Sequence, residues 1–457
     1  MRMWNRTRVG LIGLTVAGLI GGVAASAAAQ APQQAPAEQK PAYTLAEYNL
    51  YQQAFNEPNA GQKIKDLDDF VSKFPTSALL PYVYRTYYLA YNELKNYPKV
   101  IEYADREAAL GDKVDAKTRF EALYLRTMAF NYWFTGTDPN AKDEATQARD
   151  AAKLGIAVLA QIPKPADQTA DAWAKNLQVP TALFNATAGM ASLTLKDFAG
   201  AVTFFKAALA ANPDDPSTPV TYYRLGVAYL STTPPQTMDG FWALARSVSL
   251  KGQSQAQVQK YLGSRLSDYQ GGNVCDNLID GELNELVTLA GTTADRPATY
   301  TIPSAADLDA ARNDVDHFIP WLKEGGDHGK IMWLATCGST YPDVAVRIMD
   351  IVPVDDNNLT LKVYRPLATD QEGMQKEMQA ATDANMEVHI VGQPEAKRLQ
   401  KDDVVRFTGT LTGYTQSPFL LTWDAAKVNA EDIPPEKPTP GTRRPPHRVP
   451  PKPPAGN

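Results

Sequence analysis

Chemistry near neutral pH draws on histidines, cysteines, paired carboxylates and activated hydroxyls, and this chain of 457 residues holds only four histidines and two cysteines. The densest grouping is Asp314, Asp316 and His317 followed by Asp327 and His328, residue types that hold divalent metals. Adjacent positions on a helix diverge by about 100 degrees, so Asp316 and His317 cannot both face one ion, and the grouping reads as helix-end charge. His389 alternates with Glu387 and Val391 in an extended stretch, which turns it outward, while His447 sits in a proline-rich end. Asp66, Asp68 and Asp69 lack the glycine and terminal glutamate of a calcium loop. GxSxG, P-loop and dinucleotide fingerprints do not occur. No catalytic residue, metal or cofactor is assigned, and the expectation is a protein that is not an enzyme.

Cys275 and Cys337 lie outside any CxxC or Cys/His cluster, which leaves zinc and thioredoxin chemistry without support. In an oxidising compartment the two can form a disulfide; two unpaired thiols are the alternative. The compartment is addressed by the N-terminus, where Arg2, Arg6 and Arg8 precede an uncharged run from Val9 to Ala29 that closes on Ala25, Ala27 and Ala29. That is the pattern of a secretory signal peptide over 1–29, cleaved before Gln30; a membrane anchor is the alternative reading. No cysteine lies near the cleavage region, so the exported chain is not expected to be a lipoprotein, and it is expected in the periplasm or outside the cell.

The elements that would position any site come next. Residues 30–43 are a Pro/Gln/Ala linker expected to be disordered. From Thr44 to Gln270 apolar residues recur at three- and four-residue spacing between short Pro, Gly and Asn/Asp turns, which predicts about five helical hairpins. The first would pair 45–56 with 61–74; a closing helix would run over 254–269. In the fourth and fifth, Gly189, Ala201, Phe205, Ala208 and Pro213 are followed by Tyr222, Leu225, Gly226 and Tyr229. These offsets match the Ala-x3-Phe…Pro and aromatic-x2-Leu-Gly-x2-Tyr patterns, so the chain over 44–270 resembles the tetratricopeptide-repeat family, best at 182–230. The resemblance implies an α-solenoid in which these residues pack helix on helix, and a groove that binds a protein or peptide. Tyr87, Tyr88, Tyr91, Tyr223 and Arg224 are the candidate contact residues; for the tyrosines, interhelical packing is the competing assignment.

Residues 271–340 read as a connecting segment, with a helix opened by Ser304 and Asp307 and running through Leu322, and a strand over 330–337. From Tyr341 the period changes to two: Val344, Val346 and Ile348; Leu359, Leu361 and Val363; Met386, Val388 and Ile390; Val405, Phe407 and Leu411; Phe419, Leu421 and Trp423. Five short strands over 341–430, with a helical turn at 395–399 before the fourth, resemble the OB-type β-barrel. The expected class is thus mainly α, a helical repeat followed by a small five-strand all-β domain.

Charge bears on partners. The formal net charge is -6; without the three leader arginines it is -9, and without the five cations of the tail the body over 30–436 carries -14. Residues 343–430 alone hold nine Lys/Arg against thirteen Asp/Glu, so nucleic acid is not an expected partner. Residues 431–457 form a Pro-rich basic tail that suits contact with a cell wall or an anionic membrane surface, or acts only as a spacer. The leading expectation is an exported adaptor in the cell envelope that binds protein; glycan or cell-wall polymer binding through the β-domain is the alternative, and an unrecognised hydrolase the third.

Overall fold

The computed structural model describes residues 42–368 and 370–436; the expected signal peptide, most of the expected 30–43 linker and the tail from 437 lie outside the described residues. Ten helices form five hairpins. They are α1 (Leu45–Asn56) with α2 (Ala60–Lys73), α3 (Leu80–Glu93) with α4 (Tyr97–Ala108), α5 (Ala116–Trp133) with α6 (Ala141–Leu159), α7 (Ala170–Thr194) with α8 (Phe198–Ala211), and α9 (Thr218–Ser231) with α10 (Thr237–Ser249). Sequential helices pack on one another, and α5, α7 and α9 also touch, as in a helical repeat.

Local chemistry explains where these helices begin. Thr44 caps α1 by a capping box with Glu47, and Asn59, Asn96, Asp115, Thr169 and Asp197 accept first-turn amides with their side chains. Two hairpin turns share one construction 101 positions apart: Leu94-Lys95-Asn96 and Leu195-Lys196-Asp197. In each, the lysine is left-handed (φ 56° and 62°), and the next residue's N–H reaches back to Tyr91 O or Ser192 O at 2.9 Å. That residue then caps the following helix, so one tripeptide ends one helix and starts the next.

Glycines set how close neighbouring helices come. A Cβ on Gly155 would sit 2.4 Å from the Phe184 ring, one on Gly189 2.7 Å from Phe205, and one on Gly226 2.7 Å from Leu244. Each glycine therefore receives a large side chain of the next helix, and Ala201, Phe205, Leu225 and Ala228 complete a buried cluster around the second of these contacts.

Beyond α10 lie α11 (Gln255–Tyr269) and α12 (Asp276–Thr292), and the chain divides into two compact units. One takes in the described residues to Leu262 with Leu283–Tyr300; the other takes in Gly263–Glu282 and the described residues from Thr301. Arg296 ties the returning segment to the first unit through Asp239 (2.9 Å).

In the second unit, α13 (Ala305–Asn313), α14 (Phe318–Glu324) and α15 (Gly326–Thr336) precede a barrel of β1 (Thr340–Pro353), β2 (Leu359–Tyr364), β3 (Met386–Ile390), β4 (Val404–Gln416) and β5 (Phe419–Val428). The expected single helix to Leu322 is two helices, broken between Asn313 and Phe318, and the strand expected over 330–337 is instead α15. Met332, Leu334 and Ala335 are all buried in it, an apolar run that a buried helix and a buried strand share. A further helix, α16 (Gln371–Ala380), is inserted between β2 and β3.

The barrel is closed in the order β1-β2-β3-β5-β4, antiparallel except for the parallel β3–β5 pair. Its interior is filled by the alternating residues, with Val346, Ile348, Leu361, Val363, Phe407, Leu411 and Trp423 all buried. This is the OB-like arrangement, with a 3-10 turn at Pro394–Arg398 before β4. Helix α14 seats on β4: the Tyr414 hydroxyl donates to Leu322 O, and Gln416 Nε2 donates to Glu324 O at 2.7 Å. Cys275 and Cys337 are joined by a disulfide, and Gln270 Nε2 donates to Glu282 within the same unit (2.7 Å). The 271–340 stretch is therefore shared between the two units.

Candidate functional site

The candidate contact residues fall in different environments. Tyr88 is 0% and Tyr87 1% exposed, so neither is available to a partner. Helix α3 packs against both α2 and α4, and neighbours on two sides bury two adjacent side chains that a single apolar stripe would separate. The Tyr87 hydroxyl donates to Asp68 Oδ1 at 2.6 Å, and its ring stacks on Tyr103 at 4.1 Å. Tyr91, half-buried, stacks on the same Tyr103 at 5.5 Å, and the Arg106 guanidinium lies 4.8 Å over that ring. Tyr223 meets Tyr261 edge-on at 6.0 Å. Arg224 is half-buried beside it, and burial lowers its guanidinium to about 10. The packing residues Gly189, Ala201, Phe205, Ala208, Leu225 and Gly226 lie between helices; Tyr222 and Tyr229 are half-buried beside them, and Pro213, in the turn after α8, is exposed.

The most exposed apolar surface of the first unit is elsewhere, on α1 and α3. Leu45 is 74% exposed, Tyr82 57%, and Tyr48, Phe55 and Leu89 between 37% and 45%. Tyr48 and Phe55 are seven residues apart, as are Tyr82 and Leu89, so each pair lies on one helix face. The Tyr51 ring links the two helices, 5.9 Å from Phe55 and 6.4 Å from Tyr82. Helix α1 is thus apolar on both sides, burying Tyr51 and Ala54 while presenting Leu45, Tyr48 and Phe55 to solvent.

Helices α3, α4 and α5 also carry charged groups in buried or half-buried positions. Arg85 holds Glu121 through two bonds (3.0 and 2.8 Å). Glu107 is 0% exposed, and neither of its carboxylate oxygens has a hydrogen-bond partner. Burial first, and the Glu121 charge as well, raise its carboxyl to about 8, against the pull of the neighbouring Tyr88 hydroxyl. Arg126, 2% exposed, gives Nε to Asp105 Oδ1 at 3.0 Å while its Nη1 stays unpaired.

In the second unit the histidines separate. His317 Nδ1 pairs with Asp314 Oδ1 at 2.8 Å, and Trp321 lies between His317 and His328, each ring centroid 4.8 Å from it. The indole keeps the two imidazoles apart, so Asp314, His317 and His328 do not converge. Among the described residues no group of three His, Cys, Asp or Glu could hold a metal ion. A cluster that the sequence concealed lies on the barrel: His389 Nδ1 meets Asp424 Oδ1 at 2.6 Å and Nε2 meets Glu387 Oε1 at 3.0 Å, while Thr412 donates to Asp424 at 2.7 Å. These bonds, that from Glu387 foremost, raise the imidazole above its ordinary value. Asp424 lies 35 positions from His389, and only the β3–β5 pairing reveals the contact.

No protein-family model matches the chain, and no curated protein matches it by sequence. Among solved structures, the apo form of RapI is similar at 13% identity over 54% of this chain and 96% of that chain, with a TM-score of 0.27. That likeness carries no argument about this chain.

Proposed function

We propose that the chain is an exported, non-enzymatic adaptor of the cell envelope, whose tetratricopeptide-like helical repeat binds a protein segment rich in apolar side chains. The observation that carries this reading is the open aromatic face of α1 and α3: Leu45, Tyr48, Phe55, Tyr82 and Leu89 remain in water although their helices have cores of their own. Aromatic residues on rigid helices supply contact area at low cost in side-chain entropy, as interface hot spots do. The signal-peptide pattern at the N-terminus supports the location.

The test is capture from an envelope extract with the mature full chain and with a Tyr48→Ser, Phe55→Ser, Tyr82→Ser variant. A protein crosslinked to the first and lost from the second, at an unchanged melting temperature, is the expected result. If no protein is enriched at low salt with crosslinking, or if the variant captures the same one, the reading fails. Arg224→Ala, made alongside, should weaken capture if the groove extends to α9.

A second reading, binding of a glycan or cell-wall polymer by the β-domain, draws on the OB-like strand order, because the β2–β3 face of such barrels takes oligosaccharides. Thr360, Lys362, Glu387 and His389 form its polar row. Cosedimentation of the full chain with peptidoglycan, lost on Lys362→Glu, is its expected signature.

A further inference from the structure

The two helices that carry the open aromatic face are poor in charge. Helix α1 has one charged residue, Glu47, and α3 has two, Arg85 and Glu93, in a chain whose body over 30–436 carries -14. Glu47 is engaged with Thr44 at the cap of α1, Arg85 is neutralised by its two bonds to Glu121, and Glu93 is the last residue of α3. The stripe of α1 that presents Leu45, Tyr48 and Phe55 is completed by Asn49, Gln52 and Asn56, all within an arc of about 120 degrees at 3.6 residues per turn. Amides both donate and accept, so such a row can bond an identical row, as carboxylates or ammonium groups cannot.

The open area is also enough for two faces to meet. A fully exposed aromatic side chain offers about 200 Å². With Tyr48 41%, Phe55 45% and Tyr82 57% exposed, the three rings leave roughly 300 Å² open, and Leu45 and Leu89 bring the face to roughly 400 Å². One such face against another covers roughly 800 Å² of apolar surface. At the apolar share of about 65% in homodimer interfaces this corresponds to roughly 1,200 Å² in all, the size at which specific interfaces begin.

We propose that the partner seated on the face of α1 and α3 is a second copy of this chain, in a two-fold dimer. This rests on the reading of that face as a protein-binding surface and names what it binds. A two-fold axis places the same five apolar side chains on both sides, so that apolar meets apolar and amide meets amide. Two acidic bodies repel each other, and a face nearly without charge is where that repulsion is least. A different protein would be selected and steered by complementary charge, of which this face offers little.

Sedimentation equilibrium of the mature full chain between about 1 and 100 µM tests the proposal. The expected result is twice the monomer mass at the upper end, with a dissociation constant at least about a hundredfold higher for the Tyr48→Ser, Phe55→Ser, Tyr82→Ser variant. Leu45→Glu should raise it at least about tenfold, since two carboxylates then meet across the axis. Leu45 is 74% exposed and stands in a first helical turn that favours an acid, so this variant decides the matter if the triple one does not fold. A parent that stays monomeric to about 100 µM would overturn the proposal, and capture of another envelope protein by that monomer would leave the adaptor reading standing. A dimer unchanged by both variants would overturn it as well. A dimer that the variants dissociate, in a chain that captures nothing else, upholds the proposal while the adaptor reading fails.

Discussion

The same substitution, glycine to alanine within a helix, is expected to have opposite signs at Gly189 and at Gly281. On propensity alone each should gain about 1 kcal/mol, because alanine loses less backbone freedom on folding. At Gly281 on α12 nothing lies within 4 Å of the new methyl, so that gain stands. At Gly189 the methyl would sit 2.7 Å from the Phe205 ring, which is 0% exposed and wedged beside Ala201 and Leu225. Forcing a methyl into a filled core costs about 1–3 kcal/mol, and a ring without room to turn places this site in the upper part of that range. The expected net loss is about 1–2 kcal/mol. For units of this size one kcal/mol moves the midpoint by roughly 2–4 °C, so Gly189→Ala should melt about 2–8 °C below the parent and Gly281→Ala about 2–4 °C above it. Calorimetric melting of the oxidised full chain reads both, each on the transition of its own unit. A Gly189→Ala protein that melts at or above the parent would refute the close-approach argument, and with it the account of how these hairpins stack.

Further tests address the buried and bonded groups. Glu107 holds its proton to about 8 when folded against an ordinary 4.5, so its contribution is full below 4.5 and is lost as pH rises through about 8. Glu107→Gln should flatten the fall in stability between pH 5 and 9, by up to about 5 kcal/mol on 1.36 kcal/mol per unit; an unchanged pH profile would contradict the assignment. His389 follows the same sign: raised by Glu387 and Asp424, it stabilises the barrel below 6.5 and less at higher pH, so His389→Gln should lose that alkaline drop. The Cys275–Cys337 bond spans 62 positions, and reduction should destabilise the second unit by about 2–4 kcal/mol. Labelling of the unfolded, unreduced chain should find no free thiol.

The barrel was legible because its burial is one-sided: each core residue of β2 and β3, from Leu359 to Ile390, is separated by one polar position from the next. The hairpins were legible for a related reason, since Gly189 with Phe205 and Gly226 with Leu225 carry packing at fixed offsets. Where a helix has neighbours on two sides the signal fails. Tyr87 and Tyr88 look like a ridge for a partner because adjacent large residues seldom share burial, yet α3 buries both. The contacts with most chemical interest, Arg126 with Asp105 and His389 with Asp424, join charges 21 and 35 positions apart, and no periodicity encodes such distances. The open face of α1 was hidden because Leu45, Tyr48 and Phe55 have the composition of a core.

The division of the chain has a consequence for the order in which the molecule can be completed as it is made. Gly263–Glu282 belongs with residues after Thr301, while Leu283–Tyr300 returns to the earlier unit. During synthesis the first unit cannot close until Tyr300 has emerged, although its five hairpins are finished by Ser249. Cys275 meanwhile waits through 61 further residues for Cys337. A thiol exposed for that interval is open to exchange with other thiols and disulfides. Any recombinant boundary drawn between 263 and 300 would leave each half holding a segment that belongs to the other unit.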